Sequence, residues 1–163
     1  MFELQSALLF LLSRTAVRSS VHFEAGELRR HNVSFATYCV LATLTRHDDQ
    51  RLGDLAALAD IEMSTLSRLV GTLQARRLVT RRRSGKDARA VRIRITEQGR
   101  ALAEKLSTAA SGYEAALTRG LPAREVQAFR RTLVKIADTV AALADAETDV
   151  AKKTRPAGRA SAA

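Results

Sequence analysis

The fold class that this 163-residue sequence predicts is mainly α, with one small β-hairpin set among the helices. Three observations lead to it. Apolar residues recur at the three- and four-residue spacing of a single helix face over most of the chain. Residues 79–83 and 90–95 break that rhythm, and the second stretch alternates, with Val91, Ile93 and Ile95 to one side and Arg92 and Arg94 to the other. Two prolines and eight glycines leave room for long helices. The length suits one sizeable core. With no tryptophan and 4% aromatics, that core must be built from leucine, alanine and valine.

The first 21 residues carry Leu4, Leu8, Leu11 and Leu12, with Ala7 and Phe10 beside them. The run from 7 to 12 is too short to span a bilayer and is followed by Arg14 and Arg18, so neither a membrane anchor nor a signal peptide is expected. It reads as an amphipathic helix with more apolar surface than a lone terminal helix needs; burial in a dimer and packing within its own subunit both fit. His22, Gly26, His31 and Asn32 mark a break over 22–33. Ser34 then caps a helix to about 46, with Tyr38, Leu41, Ala42 and Leu44 apolar.

His47, Asp48, Asp49 and Gln50 form a polar turn. Residues 52–59 make a short helix with Leu55, Ala56 and Leu58 inward, and Asp60 and Ile61 turn the chain. From 62 to 76 Met63, Leu66, Leu69, Val70 and Leu73 line one stripe, while Ser64, Arg68, Gly71, Thr72 and Ala75 lie opposite. Small residues, hydroxyls and one arginine are an unusual solvated face. Such a helix fits a DNA major groove, with its N-terminal residues at base edges, and it equally fits burial on both sides.

The hairpin tips the balance. Ser84, Gly85, Lys86 and Asp87 give its turn. Residues 76–94 hold nine lysines and arginines against Asp87 alone, which leaves 18 basic and 16 acidic residues elsewhere and places most of the +10 net charge here. Packed charge of one sign repels itself, and a polyanion relieves it by exchanging its counterions for the arginines. An apolar underside and a cationic upper side are expected.

Thr96 is placed as the N-cap of a long helix to about 119, with Leu102, Leu106, Ala109, Ala110 and Tyr113 inward. Gly120 closes it and Pro122 opens the next, whose stripe is Val126, Phe129, Leu133, Ile136, Val140 and Leu143. From residue 149 the composition turns to Lys152, Lys153, Arg155, Arg159, proline and small residues, and a disordered basic tail is expected over 149–163.

A helix-turn-helix followed by such a hairpin resembles the winged helix-turn-helix of the MarR family of bacterial transcriptional regulators. Asp87, Ala88 and Arg89, then Ile95, Thr96, Glu97, Gln98 and Gly99, are similar to its wing signature, and Leu66, Ser67, Arg68, Leu69, Leu73, Leu78, Val79 and Arg81 to its recognition helix and first wing strand. The resemblance covers roughly residues 5 to 145. It departs at Ala36 and Thr37, where proline and glutamine are usual, and at Arg77, where the family commonly ends the recognition helix on glycine.

The resemblance implies a winged helix-turn-helix domain over 33–96, an N-terminal dimerisation helix and loop over 1–32 and C-terminal dimerisation helices over 97–148. The function it implies is a homodimeric, cytoplasmic regulator, a repressor of transcription on a pseudo-palindromic double-stranded DNA operator, released by a small aromatic or phenolic effector. The expected DNA contacts are Ser64, Thr65, Ser67, Arg68 and Thr72 on the recognition helix and Arg81, Arg82, Arg83, Lys86, Asp87 and Arg89 on the wing, with Arg89 in the minor groove and Asp87 steadying the wing. Arg92 and Arg94 hold backbone or wing.

An effector pocket is expected near His22, Phe35, Tyr38 and Cys39, residues that fit plain core as well. A redox-sensing role for Cys39 is the alternative, although the hydroperoxide-sensing branch carries its cysteine in the first helix, and buried free cysteine ordinarily behaves as a small hydrophobe. A less specific nucleic-acid-binding protein is the other alternative. Scattered His22, His31 and His47, the single cysteine, and the lack of a phosphate-binding glycine loop or nucleophile elbow argue against a metal, a cofactor or an enzyme. One cysteine also excludes an internal disulfide and suits a reducing compartment.

Overall fold

The computed structural model describes residues 3–83 and 91–154. After a short 3-10 turn, Leu4–Ser6, the chain forms α1 (Leu8–Phe23), α2 (Phe35–Arg46), β1 (Gln50–Arg51), α3 (Leu52–Ala59), α4 (Met63–Ala75), β2 (Val79–Arg83), β3 (Val91–Ile95), α5 (Glu97–Leu117) and α6 (Ala123–Thr154). The described residues divide into two compact units, the first ending at Ala116 and the second beginning at Leu117. No helix among the described residues is long and apolar enough to cross a membrane.

The break expected over 22–33 is not a loop. The chain leaves α1 through a five-residue π-helical stretch, Glu24–Leu28, and a 3-10 turn, Arg29–His31, and stops at Asn32 in the left-handed conformation. Leu28, wholly buried, and Phe23 explain why: their apolar side chains hold the stretch against Val33 and Leu106. Gly26 has open space around it, so it does not mark a tight turn. Ser34 caps α2 as expected, accepting the Thr37 N–H at 3.2 Å.

The larger of the first unit's two core clusters is drawn from the elements around α4. Val40, Leu41 and Leu44 of α2 meet Leu55 and Ala56 of α3, Leu66, Val70 and Leu73 of α4, Val79, Ile93 and Ile95 of the strands, and Ala103 of α5. Fully burying a leucine contributes roughly 1.5–3 kcal/mol, so α4 is fixed on its inner side by three such anchors. Two expected inward residues lie at the edge instead: Met63 is 45% exposed and Leu58 49%. Met63 keeps the helical phase of Val70 but is the first residue of α4, where its Cε lies near Gly53.

The sheet has three antiparallel strands in the order β1-β3-β2, one more than the hairpin expected. Its register sets Val79 opposite Ile95, Arg81 opposite Ile93, and Arg82 opposite Arg92. Period two therefore puts Arg81 on the same face as Ile93, which corrects the picture of arginines confined to one side. Gln50 of β1 covers the other edge of Ile93, and Ile93 is wholly buried.

In the second unit Gly120 takes φ +85°, Pro122 accepts the Val126 N–H at 3.2 Å, and α6 follows. The helix runs to Thr154, past the boundary expected at 148; the remainder of the expected tail, 155–163, lies outside the described residues. Phe129, Val140 and Leu143 on its stripe are exposed in the single chain, as are Leu4, Leu8, Leu9, Val17 and Val21 at the other terminus.

Candidate nucleic-acid interface

The α3–α4 pair is a tight helix-turn-helix. Asp60 takes φ +51° after α3, and the next N–H, Ile61, returns to the Ala56 carbonyl at 3.0 Å, the six-to-one bond of a Schellman turn. Glu62 then caps α4, with Oε2 accepting the Thr65 N–H at 3.0 Å and the hydroxyl of Ser64. Hydrogen bonds from Ser64 and then Thr65 hold this exposed carboxyl below the ordinary glutamate range. With Leu66, Val70 and Leu73 turned into the core, Ser64, Thr65, Arg68, Gly71 and Thr72 face outward. Ser67 is half-buried at the flank of that face. The Thr72 hydroxyl donates to the Arg68 carbonyl at 3.3 Å.

The end of α4 resolves the departure at Arg77. Arg77 adopts φ +59°, and the Leu78 N–H returns to the Leu73 carbonyl at 2.9 Å. Arginine thus occupies the left-handed position that glycine fills at lower cost. The Thr96 hydroxyl reaches back to the carbonyls of Arg77 at 2.8 Å and Leu78 at 3.0 Å, and also accepts the Gly99 N–H at 3.0 Å. Arg76 donates to the carbonyls of Asn32 at 2.6 Å and His31 at 3.0 Å. It belongs to the join between α4 and the 29–32 turn and is not one of the wing's free cations.

The wing's charge is also partly neutralised from outside the basic run. Arg92 pairs with Asp49 at 3.1 Å and donates to its carbonyl. Arg94 and Arg100 approach Asp48 at 3.9 Å each. Asp48 itself accepts the N–H groups of Asp49 at 2.8 Å and Ile95 at 2.9 Å through Oδ1. The turn read only as polar is therefore the brace of the sheet. Arg81 and Arg82 are exposed on β2, and Arg83 ends that strand. Lys86, Asp87 and Arg89 lie outside the described residues.

The four residues expected to line an effector pocket divide. His22 stacks on Tyr113 with ring centroids 5.6 Å apart, Phe23 stacks on Tyr113 at 5.1 Å, and Tyr38 meets Phe23 edge-on and Phe35 at a tilt. Phe35 is partly exposed, and the Tyr113 hydroxyl donates to the Ser19 carbonyl at 3.1 Å. These rings form a packed cluster. A cavity of about 500 Å³ is lined instead by Val21, Glu24, Ala25, Arg29, Asn32, Val33 and Ser34. Cys39 is half-buried on α2, and desolvation pushes its thiol up, against a smaller backbone hydrogen-bond effect.

The fold and these sequences agree with known regulators. The model of the MarR family matches residues 31–90, from the 29–32 turn to the second wing strand. The HTH-type transcriptional regulator YxaD of Bacillus subtilis is 31% identical over 88 residues, which are 54% of this chain and 62% of that protein, so the match spans less than two thirds of it. A MarR-family transcriptional regulator from Silicibacter pomeroyi superposes with a TM-score of 0.73 at 30% identity, over 85% of this chain and 92% of its own. BpsR of Bordetella bronchiseptica, whose DNA binding is regulated by 6-hydroxynicotinic acid, superposes with a TM-score of 0.79 at 25% identity, over 85% and 98%. A helix-turn-helix with an outward polar face, a three-stranded wing braced on it, and a solved MarR-family regulator alike at 30% identity over 92% of its length identify the chain as a member of the MarR family of transcriptional regulators, with that family's winged-helix DNA-binding fold.

Proposed function

We propose that the chain acts as a homodimer that binds a pseudo-palindromic DNA operator, represses transcription from the cytoplasm, and lets go when a small aromatic or phenolic acid binds. The observation that carries this reading is the outward face of α4, where Ser64, Thr65, Arg68 and Thr72 lie exposed; Arg81 and Arg82 of the strand that follows are exposed as well. The inner anchors Leu66, Val70 and Leu73 prevent the helix from turning that face inward. Arg68 suits guanine in the major groove, because its fork matches the paired acceptors O6 and N7. Arg81 and Arg82 suit phosphates, as do Arg83 and Lys86, while Arg89 is assigned to the minor groove and Asp87 to steadying the wing.

The dimer is supported by apolar surface left exposed at both termini, including Leu9 at 80% and Phe129 at 58%. Patches of that kind mark association surfaces. Two recognition helices related by a two-fold axis read half-sites about one helical turn of DNA apart, roughly 10 base pairs. For the effector, the regulation of BpsR by 6-hydroxynicotinic acid supports an aromatic acid. The partly exposed Phe35, next to Tyr38 in the ring cluster, supports a site for it there, with His22 and Cys39 as further candidates.

Selection of duplexes from a random pool tests the reading. The expected product is a two-fold-symmetric motif with half-sites about 10 base pairs apart. Enrichment without symmetry, or equal binding to single-stranded RNA, would overturn it in favour of an unspecific polyanion binder.

A further inference from the structure

Glu62 is the one acidic residue between Ile61 and Arg83, a segment that also carries Arg68, Arg76, Arg77, Arg81, Arg82 and Arg83. It is exposed and forms no ion pair among the described residues. Two donors, the Ser64 hydroxyl and the Thr65 N–H, converge on its Oε2. Backbone and side-chain groups of Ser64 and Thr65 together hold the carboxylate, which stays exposed. A carboxylate fixed in this way at the leading end of the recognition helix is at odds with the charge of its segment: the exposed cations Arg68, Arg81 and Arg82 suit a polyanion, and this one group repels it.

The chemistry of the groove removes the conflict. Phosphate and sugar offer an ionised carboxylate no donor apart from hydroxyls that DNA lacks, and the base edges of the major groove offer amino groups. Cytosine N4 presents a donor without an adjacent acceptor, which is the edge that a glutamate acceptor matches. Resting on the reading of α4 as the recognition helix, we propose that Glu62 is a specificity-determining residue that accepts a hydrogen bond from cytosine N4 in each half-site, with Ser64 as the residue that positions its carboxylate. Ser64 is then a support for the base reader and not itself one, which revises its expected role. The exposed carboxylate is the reading group. Discrimination by such a contact is worth roughly 5- to 150-fold between bases at one position.

Capping and reading are separable by substitution. Glu62→Ser keeps a cap oxygen for the Thr65 N–H but is too short to reach a base edge, so it isolates the reading role. Glu62→Gln keeps length and an acceptor and adds a donor, which suits the paired acceptor and donor of adenine. The experiment is duplex selection with the full-length wild-type, E62S and E62Q proteins, with far-ultraviolet circular dichroism melting of each as the control for folding. The proposal expects the wild type to fix cytosine at one position of each half-site, E62Q to move that position toward adenine, and E62S to lose preference there while the rest of the motif stays. If all three proteins select the same base at every position, or if both variants merely bind all duplexes more tightly, the carboxylate is a cap and a repulsive charge and the proposal is overturned. A wild type that selects no symmetric motif would instead overturn the operator reading on which it rests, so the two failures are told apart.

Discussion

Asp48 Oδ1 accepts the backbone N–H of Ile95 at 2.9 Å, joining the turn after α2 to the end of the last wing strand 47 residues further on. Leaving a partly buried N–H without a partner costs about 1–3 kcal/mol, whereas the approaches of Arg94 and Arg100 to the same carboxylate, at 3.9 Å with side chains nearly half exposed, contribute a few tenths each. The hydrogen bond therefore dominates. Asp48→Ala is expected to lower the urea midpoint by an amount equivalent to about 2 kcal/mol, and Asp48→Asn, which retains an acceptor, by less than half of that. Equal losses in the two variants would show that charge and not the hydrogen bond matters.

Gly99 sits where α5 begins against the first wing strand. A Cβ built on it would lie 2.1 Å from the Leu78 carbonyl oxygen and 2.9 Å from Ile95 Cγ1, and neither the backbone nor the buried isoleucine yields easily. Gly99→Ala is expected to cost about 1–3 kcal/mol through the forced shift of α5, measured as a lower melting temperature. A melting temperature unchanged from wild type would mean that the helix start slides without penalty.

Arg77 carries the opposite sign of prediction. At φ +59° its Cβ is strained, so Arg77→Gly is expected to stabilise the domain by up to about 1 kcal/mol despite the greater freedom of glycine in the unfolded chain. Arg77→Ala, which keeps the Cβ, should give no such gain. Chemical denaturation of the pair separates backbone strain from the loss of an exposed charge.

Burial raises the Cys39 thiol, so the thiolate fraction at neutral pH falls below that of a free cysteine. Alkylation is expected to be slow at pH 7 and to accelerate as pH climbs past the ordinary thiol range, with DNA binding unaffected by mild peroxide. Rapid labelling at pH 7, or loss of DNA binding on oxidation, would restore the redox role.

The elements that the sequence made legible are those with local causes. Leu66, Val70 and Leu73 repeat with the helical period, Ser34 and Thr96 cap as their hydroxyls predict, and Ile93 and Ile95 alternate into the core. What escaped depends on residues brought together from afar. Asp48 and Asp49 lie outside the 76–94 window, so counting charge within it overstated the free cations, and Arg76 turned away to carbonyls more than 40 residues earlier. Strand β1 is two residues long and exists only because β3 offers it an edge. The π-helical continuation after α1 was hidden because Gly26 and His31 look like a break, while the anchors Phe23 and Leu28 act through tertiary contact. Ser64 was picked out for its exposure, but its partnership with Glu62 appears only once the turn before α4 is folded.

Base reading by Arg68 is tested most directly by the affinities of wild-type and Arg68→Ala protein for the selected duplex and for a scrambled duplex, each at two salt concentrations. A loss of about 1–3 kcal/mol on the selected duplex is expected, with little change on the scrambled one and a salt slope shifted by less than one unit. Equal losses on both duplexes, accompanied by a slope reduced by about one unit, would place Arg68 on a phosphate and contradict base reading by the outward face of α4.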